Sequence, residues 1–189
     1  MCFDAAELIL IRHAPADTGA RLCGRRDVPL LAPGAPGLTR LAVRLQGVRK
    51  IVASPALRCR QTAAGLFPKR APALDPRLWE QDFGAEDGLP FADLPDLGPL
   101  PPEALATRRP PGGESFADMV ARVIPALDAA AQAPGPVAVV AHAGTVRAGL
   151  ARALGAVPPA LAFEVAPLSL TRLRCHPAGW SVIAANVTF

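Results

Sequence analysis

The hydrophobic positions of this chain gather into short unbroken runs separated by longer periodic stretches. Leu8-Ile9-Leu10-Ile11 and Val137-Ala138-Val139-Val140-Ala141 show no polar alternation, the pattern of strands buried on both faces of a parallel sheet. Lys50-Ile51-Val52-Ala53 reads as another strand, and about 72–79 as a further extended segment. Helical periodicity predicts helices over about 38–45 and 145–154. A third helix is predicted after Ser54-Pro55, with Ser as N-cap and Pro at the first helical position. Ser115-x-x-Asp118 predicts a capping box opening a fourth, with Phe116, Met119, Val120, Val123, Ile124 and Leu127 on one face. Pro125 predicts a kink or an early end to it. Stretches at about 169–175 and 180–187 predict an edge hairpin. Alternating strand and helix signals make this a layered α/β architecture. At 189 residues it reads as one domain, 1–189. The Pro- and Gly-dense region 88–113 reads as an excursion from the sheet that caps the site.

Both double-faced runs end in histidine: Ile11 runs into Arg12-His13 and Ala141 into His142. Open α/β sheets bind ligands just beyond the carboxyl ends of their strands. The chain holds 3 histidines, and two occupy equivalent strand ends. Either alone reads equally well as an inconsequential loop histidine. The pair, with Arg12 beside His13, favours chemistry.

Composition narrows the class. No apolar run approaches the roughly 18 residues a membrane span needs. Met1 to Glu7 carries no Lys or Arg, which argues against a secretory signal and for a cytoplasmic protein. Among 20 basic residues only Lys50 and Lys69 are lysines. Base composition accounts for most of the arginines, although a guanidinium fork suits phosphate at particular positions. Without a basic tract interleaved with aromatics, and with no Tyr, neither nucleic acid nor membrane is expected as a partner. Cys2, Cys23, Cys59 and Cys175 show no C-x-x-C spacing and read as buried or incidental thiols.

Four segments at strand exits carry residues suited to one reaction: Arg12-His13, Ser54 to Thr62 with Arg58, Trp79 to Gly84 with Glu80, and His142-Ala143-Gly144. Two arginines, two widely separated histidines and a carboxylate make a poor metal site, because the guanidinium groups repel a cation. The same set suits a phosphoryl group. Arginines and a protonated histidine hold its oxygens, one histidine attacks phosphorus, and a carboxyl group protonates the leaving oxygen and then activates water. The expected partner is thus a small-molecule phosphomonoester, with no cofactor and no metal. By spacing alone Asp82 competes with Glu80 as the acid. Arg60 reads as a solvated helix arginine, and His176 as a surface residue.

The chain resembles the histidine phosphatase superfamily, the phosphoglycerate mutase-like phosphatases. Arg12-His13-Ala14 resembles its R-H-G signature with Ala for Gly. Residues 54–63, SPALRCRQTA, resemble S-P-L-x-R-x-x-Q-T; LWEQDFG resembles the acid-bearing segment, and His142-Ala-Gly the second histidine. The resemblance implies a three-layer αβα sandwich around a mostly parallel sheet with an antiparallel edge. It also implies His13 as nucleophile, Arg12, Arg58 and His142 as phosphate clamp with Ala143 beside it, and Glu80 as acid and base. A narrower resemblance, to the alpha-ribazole phosphatase branch, rests on Cys23-Gly24-Arg25-Arg26-Asp27-Val28-Pro29-Leu30 and on the segments PPGGES and HAGTVRA. It makes Gly24 and Arg25 candidate substrate contacts, while whether Arg25, Arg26 and Arg147 reach the substrate or pair at the surface stays open. It also implies dephosphorylation of alpha-ribazole 5'-phosphate in cobalamin biosynthesis, by a monomer or homodimer. The alternatives are a broad-specificity phosphatase for sugar phosphates or nucleotides, and a non-catalytic phospholigand-binding module.

Overall fold

The structure, a computed structural model, describes residues 6–32, 34, 36–176 and 178–189. Cys2 and the start of the chain lie outside them. Strands β1 (Ala6–Arg12), β2 (Lys50–Ala53), β3 (Ala73–Leu74), β4 (Pro136–Ala141), β5 (Leu170–His176) and β6 (Gly179–Val187) form one sheet in the order β3-β2-β4-β1-β5-β6. The β2–β3, β2–β4 and β1–β4 pairs are parallel. The β1–β5 and β5–β6 pairs are antiparallel and supply the expected edge hairpin.

Side chains alternate between the two faces of the central strands. Leu8, Leu10, Val137 and Val139 enter one core with helices α4 (Phe116–Ala130) and α5 (Ala143–Leu154). Ile9, Ile11, Ala138 and Val140 enter the other, with α1 (Pro36–Arg44) and α2 (Leu57–Leu66). Apolar residues at successive positions are therefore needed, and the three-layer αβα sandwich follows. A short helix, α3 (Pro102–Thr107), lies within the Pro-rich excursion.

Three local expectations need correction. Helix α2 begins at Leu57, and Ser54 is not its N-cap. Asp27, from a distant loop, accepts the Leu57 N–H at 2.5 Å instead. The extended segment near 72–79 contributes only Ala73–Leu74 to the sheet, and Pro76–Leu78 is a 3-10 turn opened by Asp75. Pro125 does not end α4, which runs on to Ala130 after the predicted Ser115–Asp118 capping box. Ala121 and Pro125 lie on its exposed face, where water can take up the carbonyl that Pro125 leaves without a donor.

Candidate active site

Parallel pairing of β1 with β4 sets Arg12 opposite Ala141. The next residues along the two strands are His13 and His142. The His13 N–H donates to the Ala141 carbonyl at 2.9 Å. The two rings then meet edge to face, with centroids 5.4 Å apart and planes at 72°.

His13 Nδ1 lies 2.7 Å from the Ala14 carbonyl oxygen. A carbonyl only accepts, so Nδ1 carries the hydrogen and Nε2 keeps its lone pair. Burial pulls the His13 pKa down to about 3; Arg58 and Arg12 pull the same way, against the bond to Ala14. The imidazole is therefore neutral near pH 7, the form a nucleophile needs. Ala14, where the resemblance leads to Gly, is fully buried in the core beside α1 and α2. Its N–H donates to Thr62 Oγ1 at 3.0 Å, and Thr62 in turn donates to the Arg58 carbonyl at 2.7 Å.

His142 has no exposed surface. Its Nε2 is 2.9 Å from Ser54 Oγ, and Cys59 Sγ lies 3.6 Å from the same nitrogen. Burial, then Arg58, holds its pKa well below the ordinary value. The same surroundings favour the neutral ring of His142 while no anion shares the pocket. Cys59, expected to be buried or incidental, is a buried free thiol and packs against the second histidine. Burial pushes its pKa up.

Arg58 is 1 % exposed. Its guanidinium donates to the Arg26 carbonyl at 2.9 Å and to those of Gly24 at 2.9 Å and Cys23 at 3.4 Å. That loop is held in turn by Asp87, whose carboxylate accepts the N–H groups of Gly24 (3.0 Å), Arg25 (2.7 Å) and Arg26 (3.2 Å). A Cβ at Gly24 would overlap the Gln81 carbonyl oxygen and lie 2.7 Å from the Phe83 ring. Gly24 therefore sits where the backbone must approach closely, and it reaches the site through Arg58. Arg60 is exposed, as expected.

Arg12 donates to the Val165 carbonyl at 2.6 Å, and its buried Nε has no partner. Burial lowers its pKa, while Glu80 acts in the opposite sense. Arg147 is held by the Phe163 carbonyl at 3.0 Å. The Glu80 carboxylate accepts the Gln81 N–H at 3.0 Å and, at 3.4 Å, the N–H of Gly144 in the first turn of α5.

Arg12, His13, Arg58 and Glu80 line one cavity of about 190 Å3, closed on one side by Phe83 and Phe91. Glu80 and Phe83 also border a second cavity of about 270 Å3, lined by Leu97, Leu105, Phe116, Ala143, Arg147 and Leu161. The excursion at 88–113 thus supplies walls to both. Asp82 Oδ1 accepts the Gly84 N–H at 2.9 Å, and Asp82 lines neither cavity. Arg25, a candidate substrate contact, lines neither of these two cavities: its guanidinium lies 5.7 Å from the Trp79 ring centroid and 3.7 Å from Glu114. Among the described residues, no three His, Cys, Asp or Glu side chains are grouped to hold a metal ion, and no helix is long and apolar enough to cross a membrane.

Residues 8–188 match the family described as the histidine phosphatase superfamily (branch 1). The bifunctional protein Rv2228c of Mycobacterium tuberculosis is 33% identical over 139 residues, covering 61% of this chain and 35% of that protein. The chain thus spans about a third of the length of the curated relatives it matches. A solved mycobacterial glucosyl-3-phosphoglycerate phosphatase, in complex with VO3, superposes with a TM-score of 0.84 at 28% identity, over 96% of this chain and 99% of that one. A putative alpha-ribazole-5'-P phosphatase from Escherichia coli shares the fold at 22% identity and a TM-score of 0.82, over 97% of each chain. The paired strand-end histidines, the buried Arg58 and the match along nearly the whole chain lead to one assignment: this protein belongs to the histidine phosphatase superfamily.

Proposed function

We propose that the protein is a phosphoric monoester hydrolase working through a phosphohistidine. The observation that carries this reading is a neutral His13, its Nδ1–H committed to Ala14, in one cavity with Arg12, Arg58 and Glu80. His13 Nε2 attacks phosphorus and forms the P–N bond as the ester P–O bond breaks. The departing oxygen takes a proton from the Glu80 carboxyl. Water then attacks phosphorus, the Glu80 carboxylate takes up its proton, the P–N bond breaks, and inorganic phosphate leaves a free His13. Arg12 and Arg58 stabilise the equatorial oxygens, and the unpartnered Arg12 Nε gains an acceptor. In this reading His142, buried edge to face against His13 and beside Ser54, belongs to the clamp as the family resemblance implies. Family membership and the phosphatase neighbour at 28% identity support the reaction class.

For the substrate we favour alpha-ribazole 5'-phosphate. The 23–30 segment that resembles that branch is the loop whose carbonyls hold Arg58. The adjoining cavity, with Phe116, Leu97, Leu105 and Leu161, suits an organic half carrying a flat apolar base. The alternative is a sugar phosphatase of broader range, favoured by the glucosyl-3-phosphoglycerate phosphatase neighbour. A kcat/KM panel of both substrate classes separates them.

The chemistry is tested by incubation with phosphate-labelled substrate and an alkaline denaturing quench, which preserves phosphohistidine. Label is expected on His13 and absent from His13→Ala. Label on a serine or on Cys59, or normal turnover by His13→Ala, overturns the reading.

A further inference from the structure

Glu80 lies in a stretch, 79–83, with no regular secondary structure. Its backbone carbonyls have no ladder to pair with and must find partners elsewhere. One side chain supplies two of them and reaches back to the preceding turn. Arg122, on α4, donates to the carbonyls of Arg77 at 2.6 Å, Trp79 at 3.1 Å and Glu80 itself at 3.4 Å. The same guanidinium pairs with Glu114, with Nε 3.2 Å from Oε2 and Nη2 against Oε1. Glu114 continues the clamp along the segment. Its carboxylate accepts the Asp82 N–H at 3.0 Å, its carbonyl accepts the Gln81 side-chain amide at 2.8 Å, and its N–H donates to the Asp82 carbonyl at 2.9 Å.

The Glu80 carboxylate, by contrast, has only the Gln81 and Gly144 N–H groups, and the second is long. Its position relative to His13 therefore follows the backbone it hangs from. That backbone is fastened to a 15-residue helix by one five-donor fork.

We infer that Arg122 is a positioning residue for Glu80: its guanidinium, braced by Glu114, sets where the acid carboxyl meets the leaving oxygen. This rests on the proposed role of Glu80 as proton donor. Arg122 lines neither cavity of the site. A strut that served only the fold would slow every substrate alike when lost. A residue that aims a general acid matters only where the leaving group needs a proton.

The test compares phosphoenzyme formation from benzyl phosphate, whose leaving group is a poor one, with that from p-nitrophenyl phosphate, whose leaving group departs as a stable anion. Rapid-quench rates are measured for wild type, Arg122→Met, Glu80→Gln and the double variant. Displacing a catalytic group by about 1 Å can cost up to about 100-fold. Arg122→Met should thus lose about tenfold or more on benzyl phosphate and stay near wild type on p-nitrophenyl phosphate. In the Glu80→Gln background the same change should add no more than about twofold, because coupled residues are not additive. Arg122→Lys, which keeps the charge but not the fork, should show the same substrate dependence, and it decides the matter if Arg122→Met does not fold. Equal losses on both substrates, or a double variant whose loss is the product of the single ones, overturn the inference. If Glu80→Gln itself loses equally on both substrates, the acid role of Glu80 fails and takes the inference with it. If Glu80→Gln discriminates and the Arg122 variants do not, only the inference fails.

Discussion

The Glu80 carboxylate and the Gly144 N–H meet at 3.4 Å across the start of α5, and they do so because position 144 has no side chain. A Cβ there would overlap Glu80 Oε1 and lie 2.6 Å from Met119 Sδ. Met119 is buried in the α4–α5 core and cannot easily retreat. The carboxylate is the group that must move. Gly144→Ala is expected to lower kcat by roughly 10- to 100-fold, the effect of a small misplacement of a catalytic group. A thermal melt should show the fold retained, and an unchanged kcat would show that the contact does not place the acid.

Arg58 and Arg60 sit two residues apart on α2 and meet opposite environments, one buried against the Gly24 and Arg26 carbonyls, the other in water. Arg58→Ala removes a preorganised donor from charge developing in the transition state, which costs on the order of 10²–10³ in kcat. Arg60→Ala should remain close to wild type. Steady-state kinetics on both variants reads this directly, and a reversed order would reassign the clamp.

Asp87 collects three backbone N–H groups from residues 24–26, and those residues present carbonyls to Arg58. Asp87→Ala leaves the donors without their acceptor, at a cost of about 1–3 kcal/mol for a buried unsatisfied group and less where water reaches it. We expect a lower melting temperature together with a raised KM, since the loop that steadies Arg58 is loosened. A fall in stability with KM unchanged would separate the loop from the clamp.

Burial depresses the pKa of His13 to about 3 and that of His142 in the same direction. In the unfolded chain both titrate near 6.5. Between these values the unfolded state binds more protons than the folded one, so stability falls as pH is lowered from about 6.5 towards 3. The contribution is fully present above the unfolded pKa. His13→Asn and His142→Asn should each flatten part of the acid side of a melting-temperature profile, and an unaltered profile would mean that neither ring is desolvated as described.

The two central strands, their burial on both faces and the histidines that end them were legible in the sequence, because an apolar run followed by a charged or titratable residue is a local signal. So were the Ser115–Asp118 cap, the tail hairpin and the matches around Arg58, Glu80 and His142, since each lies within a few consecutive residues. Ser54 misled: Ser-Pro is a good local helix start, but Asp27 takes over the cap and Ser54 turns to His142. For Arg25 the sequence left substrate contact and pairing at the surface both open, and the structure sets its guanidinium beside Trp79 and Glu114. Only the tertiary structure sets β4 beside β1 and so joins His13 to His142, for the pairing links strands more than a hundred residues apart and no local pattern encodes it. Only it brings Asp87, Thr62, Cys59 and Arg122 to the site. These act through hydrogen bonds and packing between residues remote in the chain, and such contacts leave no periodicity to read.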